Sequence, residues 1–175
     1  MGEAIALGLA AEGATVVVAG RRLAKLNEVA TQADGTILTH TVDVADRGSV
    51  KTLFDWVSER LGQLHLLVNC AGANVPKRSM SELAPDDWDK LMAINATGAF
   101  NCMHYALPLM RPHKTGLVIN ISSTSGKRAA PLGGVAYNAS KFAVRGFTES
   151  LRQDLEITNS NVSTTCIHPG GIKTN

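Results

Sequence analysis

A tyrosine and a lysine one helical turn apart, Tyr137-Asn-Ala-Ser-Lys141, are the residues of this sequence best suited to moving a proton. A free phenol titrates near pH ~10 and is a poor acid or base at neutrality, but a nearby cation favours the phenolate. At about 100° per residue the pair falls on the flank of an apolar stripe formed by Val144, Phe147 and Leu151. Such a pair can exchange a proton with an alcohol or a carbonyl oxygen. Taken alone it also reads as two exposed residues on one helix face. Ser123 lies fourteen residues before Tyr137, just past an apolar run. Its hydroxyl suits a loop hydrogen bond or, beside the Tyr/Lys pair, a substrate oxygen. Asn95 sits inside a long helical stretch, where asparagine is mildly unfavourable. It is either a local distortion of that helix or a polar group reaching into a site.

These residues need a scaffold, and the sequence alternates in a way that supplies one. Residues 3–12, 23–32, 47–61, 85–110 and 136–156 read as helices, and 15–19, 36–44, 65–68, 117–121 and 162–167 as strands. The run Thr-Val-Val-Val-Ala at 15–19 has the continuous apolar character of a strand covered on both faces. Val50, Leu53, Phe54, Val57 and Leu61 make one stripe of an amphipathic helix, and Pro85 stands at the first turn of another. Strands alternating with helices predict βαβ units, hence a doubly wound α/β fold with a parallel, Rossmann-like sheet, as one domain over 1–175.

In such a sheet ligands bind beyond the carboxyl ends of the strands. Those ends carry Gly20-Arg21-Arg22, Asp43-Val44, Asn69-Cys70-Ala71-Gly72, Ser122-Ser123-Thr124-Ser125-Gly126 and Pro169-Gly170-Gly171-Ile172-Lys173-Thr174. Small and polar residues at these places let a nucleotide approach the backbone. Arg21 and Arg22 precede a helix, where the dipole disfavours cations, and no acid follows until Glu28. An arginine fork there matches a 2′-phosphate by charge and shape, so NADP(H) is the preferred cofactor and NAD(H) a possible one.

Composition removes other classes. With 17 Lys and Arg against 15 Asp and Glu, the net charge of +2 leaves no footprint for nucleic acid. Cys70, Cys102 and Cys166 are odd in number and far apart, which reads as buried thiols in a reducing compartment. The five histidines lack H-x-x-x-H spacing, so a metal site is not expected. No run approaches the ~18 apolar residues of a membrane span, and an acid at Glu3 makes a poor secretory leader. The expectation is a soluble, cytoplasmic protein.

The order and spacing of these motifs resemble the short-chain dehydrogenase/reductase superfamily over essentially the whole chain. Asp43-Val44 is similar to that family's adenine-contacting pair, and Asn69-Cys70-Ala71-Gly72 to its N-N-A-G motif with Cys in second place. Asn95, Ser123, Tyr137 and Lys141 match its catalytic set, and Pro169-Gly170 through Ile172 to Thr174 its loop near the nicotinamide. The resemblance implies hydride transfer between a nicotinamide and a small carbonyl or alcohol substrate. In it Tyr137 acts as general acid/base and Ser123 orients the substrate oxygen. Lys141 favours the phenolate and holds the nicotinamide ribose, while Asn95 completes a proton relay. It also implies a homodimer or homotetramer through the helices near 85–110 and 136–156. Two departures stand out. Of the family's T-G-x-x-x-G-x-G loop only the last Gly is matched, by Gly2, and a first strand and a substrate-covering region after the P-G loop have no counterpart. The sequence therefore reads as a member truncated at both ends. The alternative is a non-catalytic product or an association partner of a full-length homologue.

Overall fold

The computed structural model describes residues 1–113 and 115–172. Five parallel strands alternate with helices in the order α1 (Gly2–Ala11), β1 (Val16–Gly20), α2 (Leu23–Thr31), β2 (Ile37–Thr41), α3 (Arg47–Leu61), β3 (Leu66–Asn69), α4 (Pro85–Met92), α5 (Gly98–Met110), β4 (Gly116–Ile121), α6 (Val135–Ile157) and β5 (Val162–Ile167). The doubly wound α/β class expected from the alternation is the one observed.

Local chemistry fixes the boundaries. Asp46 caps α3 by accepting from Gly48 N at 2.8 Å and Ser49 N at 3.3 Å, and Gly62 ends it in the left-handed region at φ 75. Pro85 stands in the first turn of α4, with Asp86 and Asp87 beside the positive end of its dipole. The strand expected at 36–44 is shorter, because Asp43 Oδ1 accepts from Ala45 N at 3.0 Å and turns the chain.

The strands form two hydrogen-bonded groups, β1-β2 and β3-β4-β5. Val16 pairs with Ile37 in the first, while in the second Leu66 pairs with Leu117 and Gly116 with Val162. Between the groups lies an apolar cleft of about 820 Å³, lined by β1 and β3 and by side chains of α1 and α3. The main core lies on the α3–α5 face. Val50, Leu53, Phe54 and Val57 pack there with Cys102, Met103, Ala106 and Met110 and against Val118 of β4. Burying the four α3 side chains contributes roughly 6–12 kcal/mol before the cost of ordering the chain.

The helix expected over 85–110 is not continuous. Residues Ala93–Thr97 form a π-helical turn between α4 and α5, closed by Gly98 N donating to Ala93 O. Asn95 sits in the middle of that turn, and single π turns inside α-helices are frequent at functional sites.

Candidate functional site

The carboxyl ends of β3 and β4 meet the first two turns of α6, and a set of short hydrogen bonds ties the three together. Lys141 is 5% exposed. Its Nζ donates to Ile121 O at the end of β4 at 2.9 Å and stands 5.6 Å from the centre of the Tyr137 ring. Burial pulls the ammonium below its ordinary pKa, against the opposing pull of Cys70 and Cys166. A Cβ on Gly72 would lie 3.5 Å from Lys141 Nζ and 3.6 Å from Asn95 Oδ1, so the loop after β3 brings its bare backbone against both groups.

Asn95 is 1% exposed and fully engaged. Its Oδ1 accepts from Ala73 N at 2.7 Å, and its Nδ2 donates to Ala73 O at 2.9 Å and to Ser140 Oγ at 3.0 Å. The first sequence reading of Asn95 holds, since the helix is distorted there, and its amide bridges the loop after β3 to α6. Ser140 in turn donates to Tyr137 O at 2.8 Å.

Ser123 has extended backbone at φ -164, and its Oγ accepts from Ser125 N at 3.1 Å, which holds the short turn Thr124–Gly126. His168 Nδ1 donates to Ser123 O at 2.9 Å, and Thr124 N donates to Pro169 O at 3.0 Å. The loops after β4 and β5 are thereby fixed to each other.

Deeper in, Asn120 is wholly buried between its neighbours. Asn69 Nδ2 donates to Asn120 Oδ1 at 2.8 Å, and Asn120 Nδ2 donates to Thr148 Oγ1 at 2.9 Å. This locks β3, β4 and α6 in one register.

The remaining candidates lie where a nucleotide would approach. Arg21 and Arg22 are exposed at the end of β1, and neither takes part in an ion pair among the described residues. Asp43 and Val44 follow β2, and Val44 packs so closely on Gly98 that a Cβ there would fall 2.7 Å from its Cγ2. Gly2 faces Cys70 Sγ across the start of α1, Ala71 and Gly72 are exposed, and Gly170 and Gly171 open onto free space. Ile172 is 48% exposed, and Thr174 lies outside the described residues. Bare backbone at three strand ends, guanidiniums free of carboxylates and a buried ammonium with donors to spare fit a nicotinamide dinucleotide.

Sequence reasoning missed Ser140, His168, Asn120 and Thr148. Ser140 was findable as the residue three after Tyr137, on the same helix face. The others act through strand register. It also placed all three thiols in the interior, whereas Cys102 is buried and Cys70 and Cys166 are partly exposed. Burial pushes the Cys102 thiol up to about 11, which keeps it protonated and inert.

A parallel α/β sheet with a Tyr/Lys pair and small, polar residues at its carboxyl edge is the arrangement of a dinucleotide-dependent class of protein. The sequence profile of the short chain dehydrogenase family matches residues 1–175, and the chain belongs to that family of NAD(P)-dependent oxidoreductases. Over 177 residues it is 34% identical to the uncharacterized oxidoreductase Lin0452 of Listeria innocua, covering 99% of this chain and 71% of that protein. It is also 34% identical over 177 residues to a 3beta-hydroxysteroid dehydrogenase of Mediterraneibacter gnavus, covering 99% of this chain and 63% of that one. The crystal structure of a metagenomic short-chain oxidoreductase in complex with NADP superposes with a TM-score of 0.90 at 30% identity, covering 97% of this chain and 76% of that one. Among the described residues no helix is long and apolar enough to cross a membrane, and no cluster of His, Cys, Asp or Glu could hold a metal ion.

Proposed function

We propose that the chain transfers hydride between NADP(H) and a carbonyl or alcohol carbon, with Tyr137 as the general acid/base. The observation that carries this reading is the buried Lys141 ammonium, held 5.6 Å from the Tyr137 ring by a hydrogen bond to Ile121 O. A cation fixed there favours the phenolate, so the phenol can take the proton of an alcohol or return it to a forming alkoxide. Ser123 stands at the end of β4 with its hydroxyl hydrogen free to turn toward a substrate oxygen, its lone pairs shared with Ser125 N. Asn95 fixes the loop after β3 to α6. Because its side-chain amide is spent on Ala73 and Ser140, any part it takes in a proton relay runs through its main chain. The bound nicotinamide supplies or accepts the hydride. Arg21 and Arg22 would hold the 2′-phosphate, Asp43 and Val44 the adenine, and Lys141 the ribose. Gly2, Asn69, Ala71, Gly72, Pro169, Gly170, Ile172 and Thr174 would line the remainder.

Phe100 and Phe142, 49% and 42% exposed on α5 and α6, support a homodimer or homotetramer through these helices. Free Cys70, Cys102 and Cys166 suit a reducing, cytoplasmic setting. The test is Tyr137→Phe: turnover should fall by at least a hundredfold with NADPH binding retained, and unchanged turnover rejects the assignment. The apolar cleft between β1 and β3 favours one second reading, an association partner rather than an enzyme in its own right. NADPH-dependent activity of the purified 175-residue chain excludes it.

A further inference from the structure

Two loops flank the end of the sheet where Ser123 and Tyr137 stand, and both carry cations without carboxylate partners. One follows β3 and holds Lys77 and Arg78. The other links the turn after Ser123 to the start of α6 and holds Lys127 and Arg128. The loops are fastened to each other: Asn74 Nδ2 donates to Gly133 O at 3.1 Å, and Val135 N donates to Arg78 O at 3.1 Å. Arg78 is half-buried with its stem pinned, since a Cβ on Gly134 would lie 2.4 Å from Arg78 Cβ and 2.8 Å from its Cγ. Lys77, Lys127 and Arg128 are exposed. Among the described residues none of the four takes part in an ion pair.

The imbalance extends beyond the loops. From Lys90 to Thr148 the sequence has seven Lys and Arg residues and not one Asp or Glu, and of the seven Arg111 and Arg145 pair with Asp154 and Glu149 further on. No Asp or Glu lies between Ser123 and Tyr137, and the one acid of the other loop, Glu82, accepts from Ser79 Oγ at 2.7 Å. Field lines from one sign of charge then concentrate at the opening. The same two loops expose apolar side chains, Met80 at 78% and Leu132 at 83%. Arg21 and Arg22 lie beyond the cleft between the strand groups, so the proposed 2′-phosphate contact uses none of these four cations.

We infer that the substrate is an organic anion: a carbonyl or alcohol compound with an apolar body and a carboxylate or phosphate, the charge being held by Arg78, Lys127 and Arg128 with Lys77. This rests on the redox reading given above and names its substrate class. Arginine forks suit both anions, and the pinned Arg78 loses less freedom on binding.

The test compares matched probes with the purified chain and NADPH: levulinate against its methyl ester, and dihydroxyacetone phosphate against dihydroxyacetone. The charged member should have a kcat/KM about tenfold or more above its neutral partner. Preference for levulinate identifies a carboxylate site, and preference for the phosphate a phosphate site. In Lys127→Ala/Arg128→Ala the charged-to-neutral ratio should collapse toward one. Because the ratio is internal to each protein, general damage to the fold does not move it. Equal kcat/KM for both members of both pairs overturns the proposal, as does a ratio untouched by the double substitution. If no probe consumes NADPH, the redox reading has failed for these ketones and the anion site is judged by thermal unfolding. A midpoint raised by levulinate or dihydroxyacetone phosphate over its neutral partner at matched ionic strength, and lost in the double variant, sustains it. Identical midpoints overturn it.

Discussion

Replacing Gly134 by alanine should cost far more than a surface loop residue ordinarily does. Gly134 has φ 76 and ψ 171, a conformation essentially restricted to glycine, which costs another residue about 1–3 kcal/mol. The new methyl would also meet Arg78, 2.4 Å from its Cβ and 2.6 Å from its carbonyl oxygen. Relieving that overlap means shifting backbone, because Val135 N is bonded to the same carbonyl at 3.1 Å, and overpacking of this kind costs about 1–3 kcal/mol. The sum is roughly 2–6 kcal/mol, a large share of the 5–15 kcal/mol that holds a typical domain. At about 2–4 °C per kcal/mol for a chain of this size, the midpoint should fall by at least about 4 °C. Gly8→Ala is the control. Gly8 lies inside α1 with no atom within 4 Å of the added methyl, so alanine there should stabilise by roughly 0.5–1 kcal/mol. Urea unfolding of the two variants beside the parent decides it. A loss below about 1 kcal/mol for Gly134→Ala would show that neither the strain nor the contact is real.

Three further outcomes are expected. Asn120→Leu removes the partner of Asn69 Nδ2 and Thr148 Oγ1 inside the core and should lower the unfolding free energy by about 2–4 kcal/mol in urea titration. Lys141→Met should abolish turnover yet stabilise the fold at neutral pH. Burial lowers the folded-state pKa of Lys141, so the unfolded chain binds that proton more tightly, and parent stability rises with pH from the folded value toward the ordinary 10.5. The advantage of the methionine variant should shrink over that window, and an advantage that is absent at pH ~7 or constant to pH ~10 contradicts the linkage. Arg21→Ala should weaken NADPH by about ten- to a hundredfold while leaving NADH nearly unchanged in calorimetric titration, as expected for loss of one charge-assisted contact. Equal weakening of both removes Arg21 from the 2′-phosphate.

What could be read from the sequence was what depends on neighbours along the chain. The β-branched run at Val16–Val18 and the stripe from Val50 to Val57 declare their elements within a few residues, and Tyr137 and Lys141 declare a shared face by spacing alone. The alternation then placed Asn69, Ser123 and Pro169 at one edge. Hidden were the relations that cross the fold. The π turn at Asn95 stayed hidden, because its one-residue phase shift becomes visible only once the separate packing of α4 and α5 is known. The chain Asn69–Asn120–Thr148 exists only once β3 and β4 are in register and α6 lies across them. Nothing along the chain marks Arg78, whose carbonyl receives the first amide of α6.

The π turn at Ala93–Thr97 also acts as a phase element. One residue added to a helix rotates everything on one side of it by about 100° relative to the other. Leu91 packs with Val75 and Ala136 on the α4 side, whereas Met103 and Ala106 face the main core on the α5 side. The wide turn sets the angle between those two commitments, with Asn95 at the pivot. Removing a single residue between Ala93 and Thr97 would leave a longer and more regular helix, yet it would have to surrender either Leu91's packing or the bonds of Asn95 to Ala73 and Ser140. Helix regularity and the bonds that tie the loop after β3 to α6 are therefore opposed in this segment, and the fold keeps the bonds.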